Sequence, residues 1–571
     1  GLKWHTNLKD PIFASSDAKR GGVYRGFMQS FPLTLRNYGP DSNGIFANYL
    51  RGFSMGLVGI HPETLKPIPS LATHWAYGDD AKTVYYKLDP AARWSDGKPI
   101  TADDYLYSVE FKTSPHVLDP FFQNYYKNVV VDVKKYGQHI IALEGASAKP
   151  HDELHLEYSI SPVPKHFHTL DENWIKTYNW AIEPTSGPYI VSQINKGKSI
   201  EFKRIEDWWA NNNRYEQYRY NPDSIRLKVI RDQNIAYKHF VKGELDAFTL
   251  NQAEDWYDKA KGGPYAAGYI HKLWRYFDTP VTPQGYYLNA DDPILSDIKV
   301  RQALAHAMNV PRMLNIVTRG DRDRNDGFST GKGDYTNPNV KARSFDLNKA
   351  GALLKAAGWG KRGRDGIRIK NGQRLTLHVA MSSPVFIKRM NIIAQDARKA
   401  GIEIKIQQLD RSAIGKQVRE KKHQIAFSNF GTGLIPTYWQ WFHSKNAHKP
   451  NTNNITNLDV PEMDSLIDAF DDSTTKSERI ALAHKIQALV HEQGVYIPTL
   501  KANFNREGYW RWVKVPEFLG TRRTTALVEH LSQSDWTFWI DEEEKQKTLD
   551  ARKSRKKFAP VTIKDEKWRL P

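Results

Sequence analysis

Cysteine is absent from the 571-residue chain. Disulfide stapling, thiolate nucleophiles and cysteine-ligated metals are thereby excluded, although the compartment is left open. Long apolar runs are missing too: nothing approaches the ~18 consecutive apolar residues of a membrane-spanning helix. Catalytic signatures are scarce. There is no Gly-x-Ser-x-Gly elbow, no Walker loop and no completed zinc motif. The nearest approach is His151-Asp152-Glu153-Leu154-His155, but a zincin helix needs Glu directly after the first His, and Asp stands there. The flanking residues alternate as in a strand, which predicts two surface histidines rather than a metal site. Acid pairs such as Asp103-Asp104 and Asp471-Asp472 read as helix caps and solvated faces. No cofactor, metal ligand or catalytic residue is expected, and the chain is read as a non-enzyme.

Runs of one charge sign are also rare. A net charge of +18 brings nucleic acid into consideration, yet the Lys and Arg are interleaved with 64 acids. Only residues 552–557 (RKSRKK) are densely basic, and they follow the acidic run 541–544, the pattern of a solvated terminal helix. No nucleic-acid partner and no stable membrane insertion are expected. What the chain has in quantity is aromatic surface, 12% of residues with 17 Trp and 28 Tyr. That exceeds what a core requires and suits a cleft that stacks on or wraps a ligand. With 40% hydrophobic and 26% charged residues the composition is that of a soluble globular protein, long enough for roughly four domains.

The chain is organised around residues 285–309, GYYLNADDPILSDIKVRQALAHAMN. An extended start, Gly285-Tyr286-Tyr287-Leu288-Asn289, turns at Asp291-Asp292-Pro293, and Ser296 or Asp297 can cap the helix that follows. Val300, Leu304 and Met308 recur every four residues beside Ala303 and Ala307, giving one apolar face. Lys299, Arg301, Gln302 and Asn309 are assigned to the opposite face. Physics alone predicts strand, turn and amphipathic helix. The wording N-x-D-D-P-I-L-S-D-I-K-V-R-Q-A-L-A-H-A-M-N resembles the segment that opens the second lobe in extracellular solute-binding proteins of family 5, the peptide, dipeptide, nickel and oligosaccharide receptors of ABC importers.

Further phrases that resemble the family stand in the expected order. They are Pro69-Ser70-Leu71-Ala72-Thr73-His74-Trp75, then W-S-D-G-K-P-I-T-A-D-D-Y-L-Y-S over residues 94–108, then Thr185-Ser186-Gly187-Pro188-Tyr189. In the second of these Gly97 suits the turn, while Thr101 and Asp104 form a near capping box. D-x-x-K-A-x-x-L-L-x-x-A-G-W follows from Asp346, which caps a helix that Gly358 ends, and Tyr496-Ile497-Pro498 closes the series. Between them Asn371-Gly372 joins alternating runs as a hairpin turn, residues 384–400 read as a helix, and Ile402, Ile404 and Ile406 alternate as a strand. That order points to a mixed sheet with helices on its faces.

The resemblance implies an α/β, two-lobe periplasmic-binding-protein fold with mixed sheets, hinge crossovers and an extra subdomain in the first lobe. Lobe I is expected over residues 1–50, 185–285 and 506–571, its extra subdomain over 51–184, and lobe II over 286–505. It also implies a receptor that captures peptides or oligopeptides between the lobes and delivers them to an ABC transporter permease, working as a monomer in the periplasm. Tyr438-Trp439-Gln440 and Tyr509-Trp510-Arg511-Trp512 resemble the microcin C and oligopeptide branch. The chain starts at Gly1 without Met, as expected of a product whose secretion signal has been removed, and it has no amino-terminal Cys to carry a lipid. Oligosaccharide, opine or nickel-chelate binding by the same fold is the alternative, and a hydrolase is the alternative of a different class.

Candidate ligand contacts follow from the same resemblance. Phe31, Arg36 and Tyr38 stand where the family has a cleft-edge segment, with Arg36-Asn37 in place of its Pro. Residues 427–443, FSNFGTGLIPTYWQWFH, supply Asn429, Phe430, Gly431, Thr432, Gly433, Tyr438, Trp439 and Trp441. The glycines allow close backbone approach and the rings allow stacking. Arg506, near the return crossover, completes the set. In peptide-binding relatives the loop holds an Asp for the peptide ammonium; aligning on Pro436 puts Thr432 there, and no carboxylate lies between 427 and 443. A buried ammonium without a counter-charge is costly, so the amino terminus is met elsewhere or the ligand presents none in this loop. The surplus of Lys and Arg predicts a preference for acidic ligands. In calorimetric titrations acidic peptides are expected to bind more tightly than basic ones of equal length, and equal affinities would refute this.

Overall fold

The computed structural model describes residues 1–42, 46–431, 433–529 and 535–569. Gly285–Leu288 is a strand with all four residues buried. It pairs antiparallel with Ile425–Ser428 on one side and Tyr496–Pro498 on the other. Thr376–Met381 and Glu403–Gln408 extend the sheet with parallel pairings, giving a mixed five-stranded sheet. Asp297 caps the helix Ile298–Ala307 by accepting from the Lys299 N–H at 2.8 Å. Val300, Ala303, Leu304 and Ala307 are buried beneath it, as the four-residue spacing predicts.

Arg301 departs from the expected solvent face. It is 3% exposed, and its guanidinium donates to the carbonyls of Leu295, Ser296 and Gln493 at 2.7–3.0 Å. Gln493 ends the helix Lys476–Gln493, where carbonyls lack intrahelical partners and a cation is favoured. The helix periodicity records only that Arg301 flanks the apolar stripe; the second helix end beside it is nearly two hundred residues away.

Residues Thr279–Asn503 form one compact unit, and Gly1–Asp278 with Phe504–Pro571 form another. In the former, Asp346 caps Leu347–Ala356, and Gly358 follows at φ +86°. Asn371 and Gly372, at φ +50° and +78°, turn Arg368–Lys370 into Gln373–Arg374. The hairpin is shorter than the alternating runs predicted, because the second run becomes Thr376–Met381 and joins the five-stranded sheet instead.

Among the described residues the other unit holds three four-stranded sheets. In the first, Val23–Met28 pairs parallel with Ser224–Val229, which pairs antiparallel with Ser199–Arg204 and onward to Tyr189–Asn195. The second has Phe504–Trp510 between Ala247–Thr249 and Ile270–Tyr276, with Thr562–Asp565 at the edge. The third is antiparallel, in the order Ala72–Tyr77, Thr83–Leu88, Ile140–Gly145 and Val130–Lys135. Trp256, Tyr265, Tyr269, Trp274 and Tyr276 pack in this unit's core. His151 and His155 do not lie on a strand. They belong to a turn and the short helix Leu154–Glu157, and His155 is buried with Nδ1 2.9 Å from the Tyr77 hydroxyl. Burial pulls its pKa down to about 4. Packing against Tyr77 overrides the local alternation that suggested a strand.

Replacing Arg301 with Leu takes the donor from the buried Leu295 carbonyl and from the partly buried carbonyls of Ser296 and Gln493. Denaturant unfolding is expected to show a loss of about 3 kcal/mol.

Candidate functional site

The unit built from Gly1–Asp278 and Phe504–Pro571 contains a cavity of about 450 Å³, bordered by both charged and aromatic side chains. One wall begins with the helix Ala102–Thr113. Asp104 Oδ2 accepts from the Thr101 N–H at 2.9 Å, closing the capping box, and Tyr105, Ser108 and Lys112 lie on adjacent turns of one buried face. The next helix, Pro120–Asn128, starts at Asp119, whose carboxylate accepts from the Phe122 N–H. Its Phe122, Tyr125 and Tyr126 face the cavity, while Phe121 turns outward.

The opposite wall carries Phe53, Ser186, Tyr189 and Phe202. Two segments meet closely here. A Cβ on Gly187 would lie 1.6 Å from the Phe53 carbonyl oxygen, so no side chain is admitted at that position. Beside it Ser186 is held on both ends: its Oγ accepts from the Met55 N–H, and its carbonyl accepts from the indoles of Trp208 and Trp209, each at 2.9 Å. The small residues of Ser186-Gly187-Pro188-Tyr189 thus seat the loop that ends the cavity.

Lys112 is the most unusual group at the site. It is 2% exposed, and its ammonium makes one hydrogen bond among the described residues, to the Ser161 carbonyl at 3.1 Å. The rings of Tyr38 and Phe122 lie 5.0 and 4.9 Å from it. Burial pulls its pKa down to about 7, Glu183 and Asp119 draw it back up, and Arg51 opposes them. Glu183, on the loop opposite, accepts from the Asn37 amide at 3.3 Å and lies 3.5 Å from His168 Nε2. The His168 Nδ1 accepts from the Trp174 indole at 3.3 Å, and its Nε2 makes no hydrogen bond among the described residues.

Of the residues singled out in the sequence, Tyr38 borders this cavity. Arg36 is buried, donating to the Tyr38 and Pro40 carbonyls and lying over Trp174. Phe31 stacks on Trp180. Arg506 is fully buried over the Trp274 ring, and one of its guanidinium nitrogens donates to the Asn251 carbonyl. In the other unit, Asn429, Gly431 and Gly433 are exposed, and Phe430 packs 4.1 Å from Trp441 and 5.0 Å from Tyr287 between ring centroids. Tyr438 is buried, with its hydroxyl between Ser329 and Gln487, while Trp439 is half-buried beside His443. The buried Lys332 donates to the Gly433 carbonyl, and burial pulls its pKa down to about 8. Thr432 lies outside the described residues. The sequence reading missed Glu183 and the role of Lys112; the available signal was a cation seven residues after Tyr105, on the buried stripe of its own helix.

A family model for bacterial extracellular solute-binding proteins, family 5 middle, matches residues 66–449. The chain is 22% identical over 490 residues to the "probable peptide-binding protein" YejA of Agrobacterium fabrum, with 79% of each chain covered. Its fold is similar to that of the oligopeptide-binding protein AppA from Bacillus subtilis in complex with a nonapeptide, with a TM-score of 0.73 and 19% identity over 92% of this chain and 99% of that one. It is also similar to that of NikZ from Campylobacter jejuni in complex with Ni(L-His), with a TM-score of 0.72 and 19% identity over 91% and 99%. These are two-lobe periplasmic binding proteins, and the chain shares their mixed α/β architecture. No helix among the described residues is long and apolar enough to cross a membrane.

Lys112 leaves a pH signature. Its folded pKa lies below the unfolded value near 10.4, so the unfolded chain binds more protons between about 7 and 10, and stability rises with pH across that window. The burial cost is fully present below about 7. Lys112→Met is expected to stabilise the ligand-free protein by on the order of 3 kcal/mol at pH 6, with the gain shrinking toward pH 10. Unfolding midpoints of both proteins against pH test this.

Proposed function

Because the chain belongs to the bacterial extracellular solute-binding proteins of family 5, we propose that it is the substrate-binding component of an ABC importer, a periplasmic monomer that captures peptides and passes them to the permease unaltered. The observation that carries the peptide reading is the cavity of about 450 Å³ with its buried, incompletely satisfied ammonium. A site of this kind fixes the orientation of a ligand through a few polar groups and accommodates the remainder on rings. The names of YejA and AppA, both peptide-binding, support the same class of ligand. The two compact units serve as the two lobes, with residues 51–184 as an extra subdomain of the first. Asn429, Phe430, Gly431, Thr432, Gly433, Tyr438, Trp439 and Trp441 are the contacts contributed by the second lobe, with Phe31, Arg36, Tyr38 and Arg506 on the first. Capture requires that the ligand favour the closed form by more than the open–closed gap. No bond in the solute is made or broken.

Native mass spectrometry of protein taken directly from cells is expected to show co-purified peptide. A peptide library is expected to raise the melting temperature, and the bound peptides are expected to be recovered intact. Stabilisation by a sugar or a metal chelate with no peptide binding would overturn the ligand class, and cleaved peptide would overturn simple capture.

A further inference from the structure

Two opposite charges border the cavity without meeting. Lys112 and Glu183 are within electrostatic reach, yet no ion pair joins them. Lys112 is held instead by the Ser161 carbonyl and two rings, and Glu183 accepts from the Asn37 amide with the His168 ring 3.5 Å away. A pair serving only the fold would close on itself, since a buried charge is expensive until an opposite charge reaches it. Here Lys112 spends one of three N–H donors, and Glu183 Oε1 has no hydrogen-bond partner among the described residues. Arg51 also borders the cavity, donating to the Asn37 carbonyl at 2.7 Å. Asp119 caps its own helix and binds the Gly39 N–H, which commits it to the protein.

We infer that Lys112 and Glu183 together read a ligand end that carries both a carboxylate and an ammonium. This rests on the capture reading given above and names its preferred class. The carboxylate completes the Lys112 ammonium with a charge-assisted hydrogen bond, and the ammonium lies against Glu183. Two sources present that chemistry: a peptide whose first residue is Asp or Glu, and a free amino acid. The apolar remainder meets Phe53, Phe122 and Tyr126.

The test uses the full chain, Lys112→Met and Glu183→Gln, titrated calorimetrically with Asp-Ala-Ala, Ala-Ala-Ala, N-acetyl-Asp-Ala-Ala and free aspartate. Circular dichroism and melting points establish that both variants are folded. Wild type is expected to bind Asp-Ala-Ala about tenfold or more tightly than Ala-Ala-Ala. Lys112→Met erases that difference. Glu183→Gln weakens both free-amine peptides while leaving the acetylated one unchanged. Binding of free aspartate with the same sensitivity to both substitutions identifies the amino acid as the source, and binding of peptides alone identifies the peptide. If wild type binds the peptides and both variants keep its affinities and ranking, the charge-pair assignment falls while peptide capture stands. If wild type binds none of the four, both fall together.

Discussion

The antiparallel pairing of Tyr276 with Phe504 holds together the point where the chain leaves the first unit and the point where it returns. The intervening residues Thr279–Asn503 form the other unit, so the two connections between the units are neighbours by construction. The pairing is secured along the whole strand Phe504–Trp510, in which all seven residues are buried. Arg506 lies over the Trp274 and Phe504 rings, 4.7 and 5.2 Å from their centroids. Glu507 accepts from the N–H groups of Leu527 and Val528 at 2.9 Å each, and burial pushes its pKa up. A carboxylate placed so deeply is tolerable only because backbone donors converge on it. The family arrangement of two units with a double crossover therefore depends on one central strand.

Within the first unit, the cavity exists because backbone segments approach one another without side chains between them. Gly187 lets the loop press against the Phe53 carbonyl, and the two indoles fix the Ser186 carbonyl beside it. The opposite wall is a pair of capped helices whose aromatic residues point inward. Protein interiors are close-packed, so an open volume of this size bordered by ionisable groups stands out. The contrast sets rings beside ionisable groups around one volume.

Much of the fold was legible because it is written in local chemistry. The caps at Asp297, Asp346 and Thr101 with Asp104 depend on residues two or three positions apart, and each forms as the spacing predicts. Gly358 and Asn371-Gly372 adopt positive φ where helix and hairpin require it. The family phrases are legible for the same reason, being runs of adjacent residues. Arg301, His155 and Glu183 were not, since their environments come from Gln493, Tyr77 and Asn37, far along the chain. Lys112 falls between these cases. Its helix face could be read, but the Ser161 carbonyl and the ring of Phe122 that surround it arrive from separate loops and helices.

The middle position of Phe504–Trp510 in its sheet also orders events during synthesis. Until those residues leave the ribosome, Ala247–Thr249 and Ile270–Tyr276 lack the strand that joins them, whereas Thr279–Asn503 is contiguous and can fold as it emerges. The second sheet must therefore wait for the last seventy or so residues, with one edge of Ala247–Thr249 and both edges of Ile270–Tyr276 lacking their partners. A chain interrupted before Phe504–Trp510 would keep these edges open to other chains, so incomplete products are the ones most exposed to aggregation and to the chaperones that hold unfolded protein.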